Sequence, residues 1–503
     1  MGGKSELLGE GSPVSSGSAA LDYILRGGYA ANRVHLIEGE PGAGKTTLGL
    51  QFLIEGATKD ERCLYITLSE SKDELLHVAA THGWDLAGVE IFELVPPELS
   101  LDTNREQSIV YASDLELGET VQMVMREVER VAPARVVFDS LSEIRLLAQG
   151  PLRFRRQVLA LKHYFAQHKC TVLFLDDLTQ MEDDLSLHSL AHGVVRLEQV
   201  AKTYGAERRR LRVFKMRGRP FRGGFHDFTI RTGGVEIFPR LVASSHPGDG
   251  HEEQVAPSGI AELDELVGDG LHYGTTNLVI GPSGSGKSTL VLQYLQAAMQ
   301  RGEKALVISF DETESVFMRR ATGLGVDVRR FRDDGLLVLR QVDPAELSPG
   351  ELAATIRNEV EGGVRVVVLD SLSGYQHAMP EEQFMLLQMH ELVTFLNQQG
   401  VLTFLILAQS GMIGHMQSPV DLTYLSDAVL LLRFFEARGE IRRALSVLKK
   451  RTGRHEVAIR ELRIDSGGVR VGEILSGFRG VLTGTPTFEG DQALLEERIV
   501  ERG

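Results

Sequence analysis

An eight-residue pattern that occurs twice constrains this chain more than anything else in it. Gly39-Glu-Pro-Gly-Ala-Gly-Lys-Thr46 and Gly281-Pro-Ser-Gly-Ser-Gly-Lys-Ser288 both fit G-x-x-x-x-G-K-[ST], the pattern of a phosphate-binding loop. Each follows an apolar run, Val34-His-Leu-Ile37 or Asn277-Leu-Val-Ile280, that reads as a buried strand. Each precedes a periodic apolar segment that reads as a helix (Leu48, Leu50, Phe52, Leu53; Leu290, Leu292, Tyr294, Leu295). In that strand–loop–helix setting the glycines Gly39, Gly42, Gly44, Gly281, Gly284 and Gly286 let backbone N–H groups point at phosphate oxygens. The helix that follows adds its positive N-terminal dipole. Lys45 and Lys287 then reach the β and γ phosphates, and Thr46 and Ser288 offer a hydroxyl to Mg²⁺. Ala43, Thr47, Ser285 and Thr289 complete the expected ATP-binding set.

Length and composition agree with two copies of one fold. At 503 residues the chain has room for two domains of about 250 residues each. Its hydrophobic content of 43% and charged content of 24% are ordinary for a globular protein. No apolar run approaches the length of a membrane span. The segment Met1-Gly-Gly-Lys-Ser-Glu6 lacks the apolar core of a secretory signal, and Glu6 breaks the myristoylation pattern. Cys63 and Cys170 both lie in apolar strand-like runs, where they read as reduced core residues. A cytoplasmic location is expected. A net charge of −15 speaks against nucleic-acid binding, which needs a basic surface, although Arg208-Arg-Arg-Leu-Arg212 is locally basic.

The two halves run in parallel. Residues 1–13 read as a mobile N-terminus, 14–243 as a first domain, 244–256 as a linker, 257–487 as a second domain, and 488–503 as a short acidic tail. Ser16–Asp22 and Pro257–Asp264 open equivalent short helices. Cys63–Leu68 matches Ala305–Phe310 as a strand, and Arg135–Ser140 matches Arg365–Ser371. Thr171–Leu175 and Leu402–Leu407 supply a fourth strand in each half. Helical patterns such as Glu119–Val131 and Phe384–Asn397 lie between strands. Strands alternating with helices imply an α/β fold, a mainly parallel sheet flanked by helices in each half. Shorter alternating segments such as Leu211–Phe214 and Ala444–Val447 look like an added β edge.

Nucleotide hydrolysis needs phosphate binding, a metal, a positioned water and positive charge for the transition state. Asp139 and Asp370 end apolar strands in the Walker-B manner, and each is expected to help hold Mg²⁺ from the strand beside the phosphate loop. The bland reading is a turn residue, but the repetition favours a metal site. Glu70 and Glu312 end the neighbouring strand, where ligands gather in open α/β sheets. There a carboxylate can orient or deprotonate the attacking water, or merely cap the next helix. The basic clusters Lys215-Met-Arg-Gly218 and Lys449-Lys-Arg-Thr-Gly453 read as solvated surface, as a nucleic-acid patch, or as trans-acting fingers for a neighbouring subunit.

Tandem phosphate loops, the Ser-Gly-x-x-x-Leu-Asp segments, the strand-end acids, the Asp-Ser Walker B and the terminal basic motifs together resemble the KaiC family of double-domain RecA-like ATPases. The resemblance spans about residues 14–488 and is densest at 438–451 and 455–461. It implies two tandem RecA-like domains and a homohexameric double ring with ATP at subunit interfaces. It further implies a slow ATPase in the first ring and an autokinase and autophosphatase in the second, acting as a clock- or stress-type signalling switch. Lys215, Arg217, Lys449 and Arg451 fall on that family's trans-acting phosphate contacts. The family's paired glutamates become Ser69-Glu70 in the first half and Asp311-Glu312 in the second, with Asp311 at the place of the kinase's general base. Its phosphoacceptor pair falls on Thr423-Tyr424, with Ser418 and Ser426 as lesser acceptors. A KaiB-like protein is an implied partner, while the short acidic tail speaks against a KaiA-like activator.

Two other readings use the same phosphate-site residues. A RecA- or RadA-like DNA-dependent ATPase would add a basic nucleic-acid surface, for which Arg153, Arg155, Arg156 and Arg208–Arg212 are the candidates. An ATP-gated scaffold without kinase activity would bind nucleotide only to assemble, and the presence of Glu70 and Glu312 argues against it.

Overall fold

The computed structural model describes residues 12–94, 112–178, 185–201, 205–248, 254–378, 385–409, 423–437, 439–483 and 487–488. Nearly all of the expected N-terminal segment, residues 249–253 of the expected linker, Ser418 and all but the first residue of the expected tail lie outside them. The chain divides into two compact units between Arg240 and Leu241. Leu241 and Ala243, expected at the end of the first domain, are buried in the core of the second unit.

In the first unit α1 (Ala19–Ile24), β1 (Val34–Gly39), α2 (Lys45–Ala57), β2 (Cys63–Thr67), α3 (Lys72–Thr81) and β3 (Val89–Glu93) come first. They are followed by α4 (Ala112–Val131), β4 (Arg135–Asp139), α5 (Leu141–Ala148), α6 (Pro151–Gln167), β5 (Thr171–Asp177) and α7 (Leu185–Leu190). Strands β6 (Gly193–Val200), β7 (Arg208–Met216), β8 (Phe225–Arg231) and β9 (Gly234–Phe238) complete it. The sheet order is β3-β2-β4-β5-β1-β6-β7-β8-β9. The strands from β3 to β6 are parallel, and β7, β8 and β9 add an antiparallel edge.

Continuous apolar runs make the central strands, because both faces of a parallel sheet are covered. Side chains alternate between two cores. Ile37, Tyr65, Val137 and Leu173 pack with Leu48 and Phe52 of α2. Leu36, Leu64, Ile66, Val136 and Phe174 pack with Val124 of α4, Ile144 of α5 and Leu161 of α6. Each buried Leu, Ile or Phe contributes about 1.5–3 kcal/mol relative to exposure. Alternation of this kind therefore fixes which helix covers which face.

The second unit repeats the plan. It opens with β10 (Val255–Ala256), α8 (Ala261–Leu266), β11 (Leu271–His272), β12 (Thr276–Gly281), α9 (Lys287–Gln300) and β13 (Lys304–Ser309). Next come α10 (Glu314–Gly323), α11 (Val328–Asp333), β14 (Leu337–Gln341), α12 (Pro349–Glu361), β15 (Val364–Asp370) and α13 (Leu372–Ala378). Then follow α14 (Met385–Gln398), β16 (Leu402–Ala408), β17 (Ala428–Ala437), β18 (Glu440–Lys450), β19 (Arg460–Asp465) and β20 (Gly468–Ile474). Its sheet order, β14-β13-β15-β16-β12-β17-β18-β19-β20, is that of the first unit strand for strand. The expected pair of mainly parallel, helix-flanked sheets is thus present. Among the described residues no helix is long and apolar enough to cross a membrane.

One expectation needs correction. The strands that end in Asp139 and Asp370 are not beside the phosphate-loop strands. β5 lies between β4 and β1, and β16 between β15 and β12. Chain order does not reveal sheet order when helical crossovers let a later strand insert between two earlier ones.

Two candidate nucleotide sites

Both loops turn into their helices through a left-handed glycine, Gly44 at φ 100° and Gly286 at φ 101°. A side chain at either would be strained by that backbone angle, and its Cβ would also press on Ile230 Cδ1 at 2.7 Å or Ile464 Cδ1 at 2.3 Å. These glycines are also the N-caps of α2 and α9 and bring no capping side chain. The first-turn N–H groups are therefore free to serve an anion. Ala43, Thr47 and Ser285 are buried beneath the loops.

The two lysines differ in their company. Lys45 Nζ donates to the carbonyls of Gly39 at 2.8 Å and Glu40 at 2.9 Å, and pairs with Asp177 at 2.7 Å. Lys287 Nζ donates to the carbonyls of Gly281 at 2.9 Å and Pro282 at 2.8 Å. The position that β5 fills with Asp177, opposite Gly39, holds Ala408 opposite Gly281. Burial lowers the Lys287 ammonium to about 8, with Asp370 pulling the other way. Sequence reading missed Asp177, although a second strand-end acid in one half but not the other was visible in the Asp176-Asp177 pair.

Asp139 and Asp370 do reach the loops, across the intervening strand. Thr46 Oγ1 donates to Asp139 Oδ2 at 3.3 Å, and the Tyr65 hydroxyl donates to the same oxygen at 2.5 Å. Burial raises the Asp139 carboxyl, while Tyr65, Thr46 and Lys45 oppose the rise. Burial also raises Asp370, opposed first by a hydrogen bond from Ser288. Tyr65 has no counterpart in the second unit, where the matching residue of β13 is Val307.

Glu70 and Glu312 sit on the same local turn. The Thr67 hydroxyl donates to the Glu70 carbonyl at 2.7 Å, as the Ser309 hydroxyl does to Glu312 at 2.7 Å. Their side chains fare differently. Glu70 Oε2 is buried without a hydrogen-bond partner. Burial, then the charges of Asp139, Glu74 and Asp177, raise the Glu70 carboxyl above the ordinary glutamate value. Glu312 instead accepts two hydrogen bonds from Arg320, Nε to Oε1 at 3.0 Å and Nη2 to Oε2 at 2.7 Å. Asp311 Oδ2 accepts from the Ser371 hydroxyl at 2.6 Å.

The basic pairs lie at the other end of the sheet. Gly39 is level with Leu197, whereas Lys215 is level with Val194, three residues back toward the strand starts. That is about 10 Å along the sheet, away from the chain's own phosphate loop. Lys449 is likewise level with Val429 and Leu278, short of Gly281. Each pair holds the backbone ahead of the next parallel strand. Lys215 donates to the His188 carbonyl and Arg217 to that of Ser189. Lys449 donates to the carbonyls of Thr423 and Ser426, both at 2.8 Å, and Arg451 to that of Tyr424 at 2.9 Å. Thr423 and Tyr424 are exposed on this segment, and Ser426 is buried. Within one chain, therefore, neither the fingers nor Thr423 meet a phosphate loop.

Comparison with known proteins gives the same picture along the whole chain. A family profile described as "ATPase: KaiC" matches residues 14–242 and again 256–476. The chain is 27% identical to the circadian clock oscillator protein KaiC of Parathermosynechococcus lividus, over 94% of this chain and 87% of that one. It is 26% identical to the circadian clock protein KaiC3 of Synechocystis sp., over 94% of each.

Proposed function

Because this chain belongs to the KaiC family of ATPases, we propose that it is an ATP hydrolase working as a cytoplasmic homohexameric double ring, with a serine/threonine autokinase in the second ring. The observation that carries hydrolysis is Glu70, a buried carboxylate oxygen without a partner on the turn after β2, the strand next to the one that ends in Asp139. It takes the proton as water attacks the γ phosphorus. The bond to the β-phosphate oxygen breaks, releasing ADP and phosphate. In the second unit the Thr423 hydroxyl of one subunit would attack the γ phosphorus held by its neighbour, passing its proton to Asp311.

The residues present suit Mg²⁺. Thr46 with Asp139, and Ser288 with Asp370, offer one hydroxyl and one carboxylate apiece. Among the described residues no group of three His, Cys, Asp or Glu side chains could hold a metal. Few protein oxygens, with phosphate and water completing the shell, is the usual Mg²⁺ arrangement. When bound, the ion neutralises charge on the β and γ phosphate oxygens. Lys215, Arg217, Lys449 and Arg451 would supply cationic charge from the adjacent subunit.

The test is ATP turnover by the full chain with Mg²⁺. Wild type is expected to release phosphate, each of Lys45→Ala and Lys287→Ala to retain part of that rate, and the double variant to lose it. Turnover that survives in the double variant would sink this reading. Strong stimulation by single-stranded DNA would favour the recombinase-like alternative instead.

A further inference from the structure

The two sites carry the same strand-end glutamate but do not leave it equally free. Glu70 and Glu312 each stand two residues ahead of a ten-residue helix, α3 or α10. The seventh residue of α3 is Val78, which packs on the apolar core. The seventh residue of α10 is Arg320. Its guanidinium grips both Glu312 oxygens, at 3.0 and 2.7 Å, with the two side chains only 24% and 22% exposed. The Arg320 guanidinium is itself seated 5.2 Å over the ring of Phe317, which is buried. Both ends of the pair are thus positioned by the protein, which separates it from the loose surface pairs that contribute little.

A general base needs a free lone pair aimed at the proton it removes. A carboxylate gripped on both oxygens by a guanidinium has a lone pair of each engaged and its orientation fixed by that partner. Resting on the proposed ATPase reading, we propose that Arg320 is a latch: it withholds Glu312 from the attacking water, so that the second site keeps its ATP against hydrolysis while the first site, with Val78 in the same place, does not. Retained ATP leaves the γ phosphate available for transfer to a hydroxyl. Arg320 is a positioning residue, since it acts only through Glu312.

The test uses the full chain with one site silenced. In the Lys45→Ala background only the second site turns over. There Arg320→Ala is expected to raise kcat roughly tenfold, the order set by a charge-assisted hydrogen-bonded pair, with KM changed by less than about twofold. Arg320→Met keeps the stack on Phe317 without the charge and carries the same expectation, so a folding defect in the alanine variant does not decide the matter. Glu312→Gln added to either variant should abolish the gain. Conversely, Val78→Arg in the Lys287→Ala background should lower first-site kcat while a fluorescent ATP analogue still binds. An unchanged or reduced kcat in both Arg320 variants overturns the latch. A wild-type chain with no turnover at all would overturn the proposed function itself, a result distinct from a working wild type whose second site ignores Arg320.

Discussion

At the scale of single residues, what a side chain can do is set by what surrounds it. Glu70 and Glu312 share a backbone turn, yet one carboxylate has a buried oxygen without a partner and the other is gripped by Arg320. The raised Glu70 carboxyl has a consequence for stability. A group whose folded pKa lies above its unfolded value stabilises the fold below the unfolded pKa. It loses that contribution as pH rises through the folded value. At neutral pH charged Glu70 is therefore a cost, which Glu70→Gln should relieve while removing the base. The variant is expected to melt higher than wild type at pH 7, with that advantage lost as pH falls through the raised Glu70 value and gone below the unfolded glutamate value of about 4.3. First-site turnover, measured in the Lys287→Ala background, should fall by ~10²-fold or more. A lower melting temperature together with intact turnover would show Glu70 to be a structural cap.

At the scale of elements, the same device appears in both units. A Lys-x-Arg pair leaving β7 or β18 holds the carbonyls of the short segment that leads into β6 or β17. In the second unit that segment carries Thr423 and Tyr424. In-line transfer requires the acceptor oxygen near the γ phosphate, and about 1 Å of misplacement can cost ~10²-fold. Threonine carries its oxygen on Cβ, whereas the tyrosine oxygen lies a whole ring farther out on the same backbone. Incubation with ATP and Mg²⁺ is therefore expected to place phosphate on Thr423, as read by peptide mass spectrometry. Thr423→Ala should remove it, and Asp311→Asn should slow it. Phosphate confined to Tyr424, or absent from residues 415–427, would refute this assignment.

At the scale of the whole molecule, each unit presents its phosphate loop at one end of the parallel strands and its basic pair at the other. A single chain cannot close that gap, whereas a head-to-tail ring can, because each subunit then meets its neighbour with the opposite surface. Nucleotide bound between subunits stabilises their association by linkage. At 100 times its dissociation constant ATP adds about 2.7 kcal/mol per site. Sizing in ATP and Mg²⁺ should show assembly that nucleotide removal reverses. Arg217→Ala should lower first-site turnover by up to ~10³-fold while monomers still bind nucleotide. A chain that stays monomeric in saturating ATP would defeat the ring.

The sequence alone settled the duplicated phosphate loop, the strand–helix alternation and the strand-end acids. All three are local: a loop of glycines, an apolar period and a polar residue after an apolar run are written in neighbouring positions. What it left open depends on residues far apart in the chain. Only the fold places β5 between β4 and β1, so that Thr46 meets Asp139 Oδ2 across an intervening strand while Tyr65 reaches the same oxygen from the adjacent β2. Only the fold brings Asp177 to Lys45. The latch was half legible, since Arg320 stands two helical turns beyond Glu312 where the first half has valine. Whether a long guanidinium turns toward a carboxylate or toward solvent is decided by tertiary packing, here by Phe317 beneath it. Local propensity fixes the backbone at such positions; the freedom of a charged side chain is fixed by the groups that surround it.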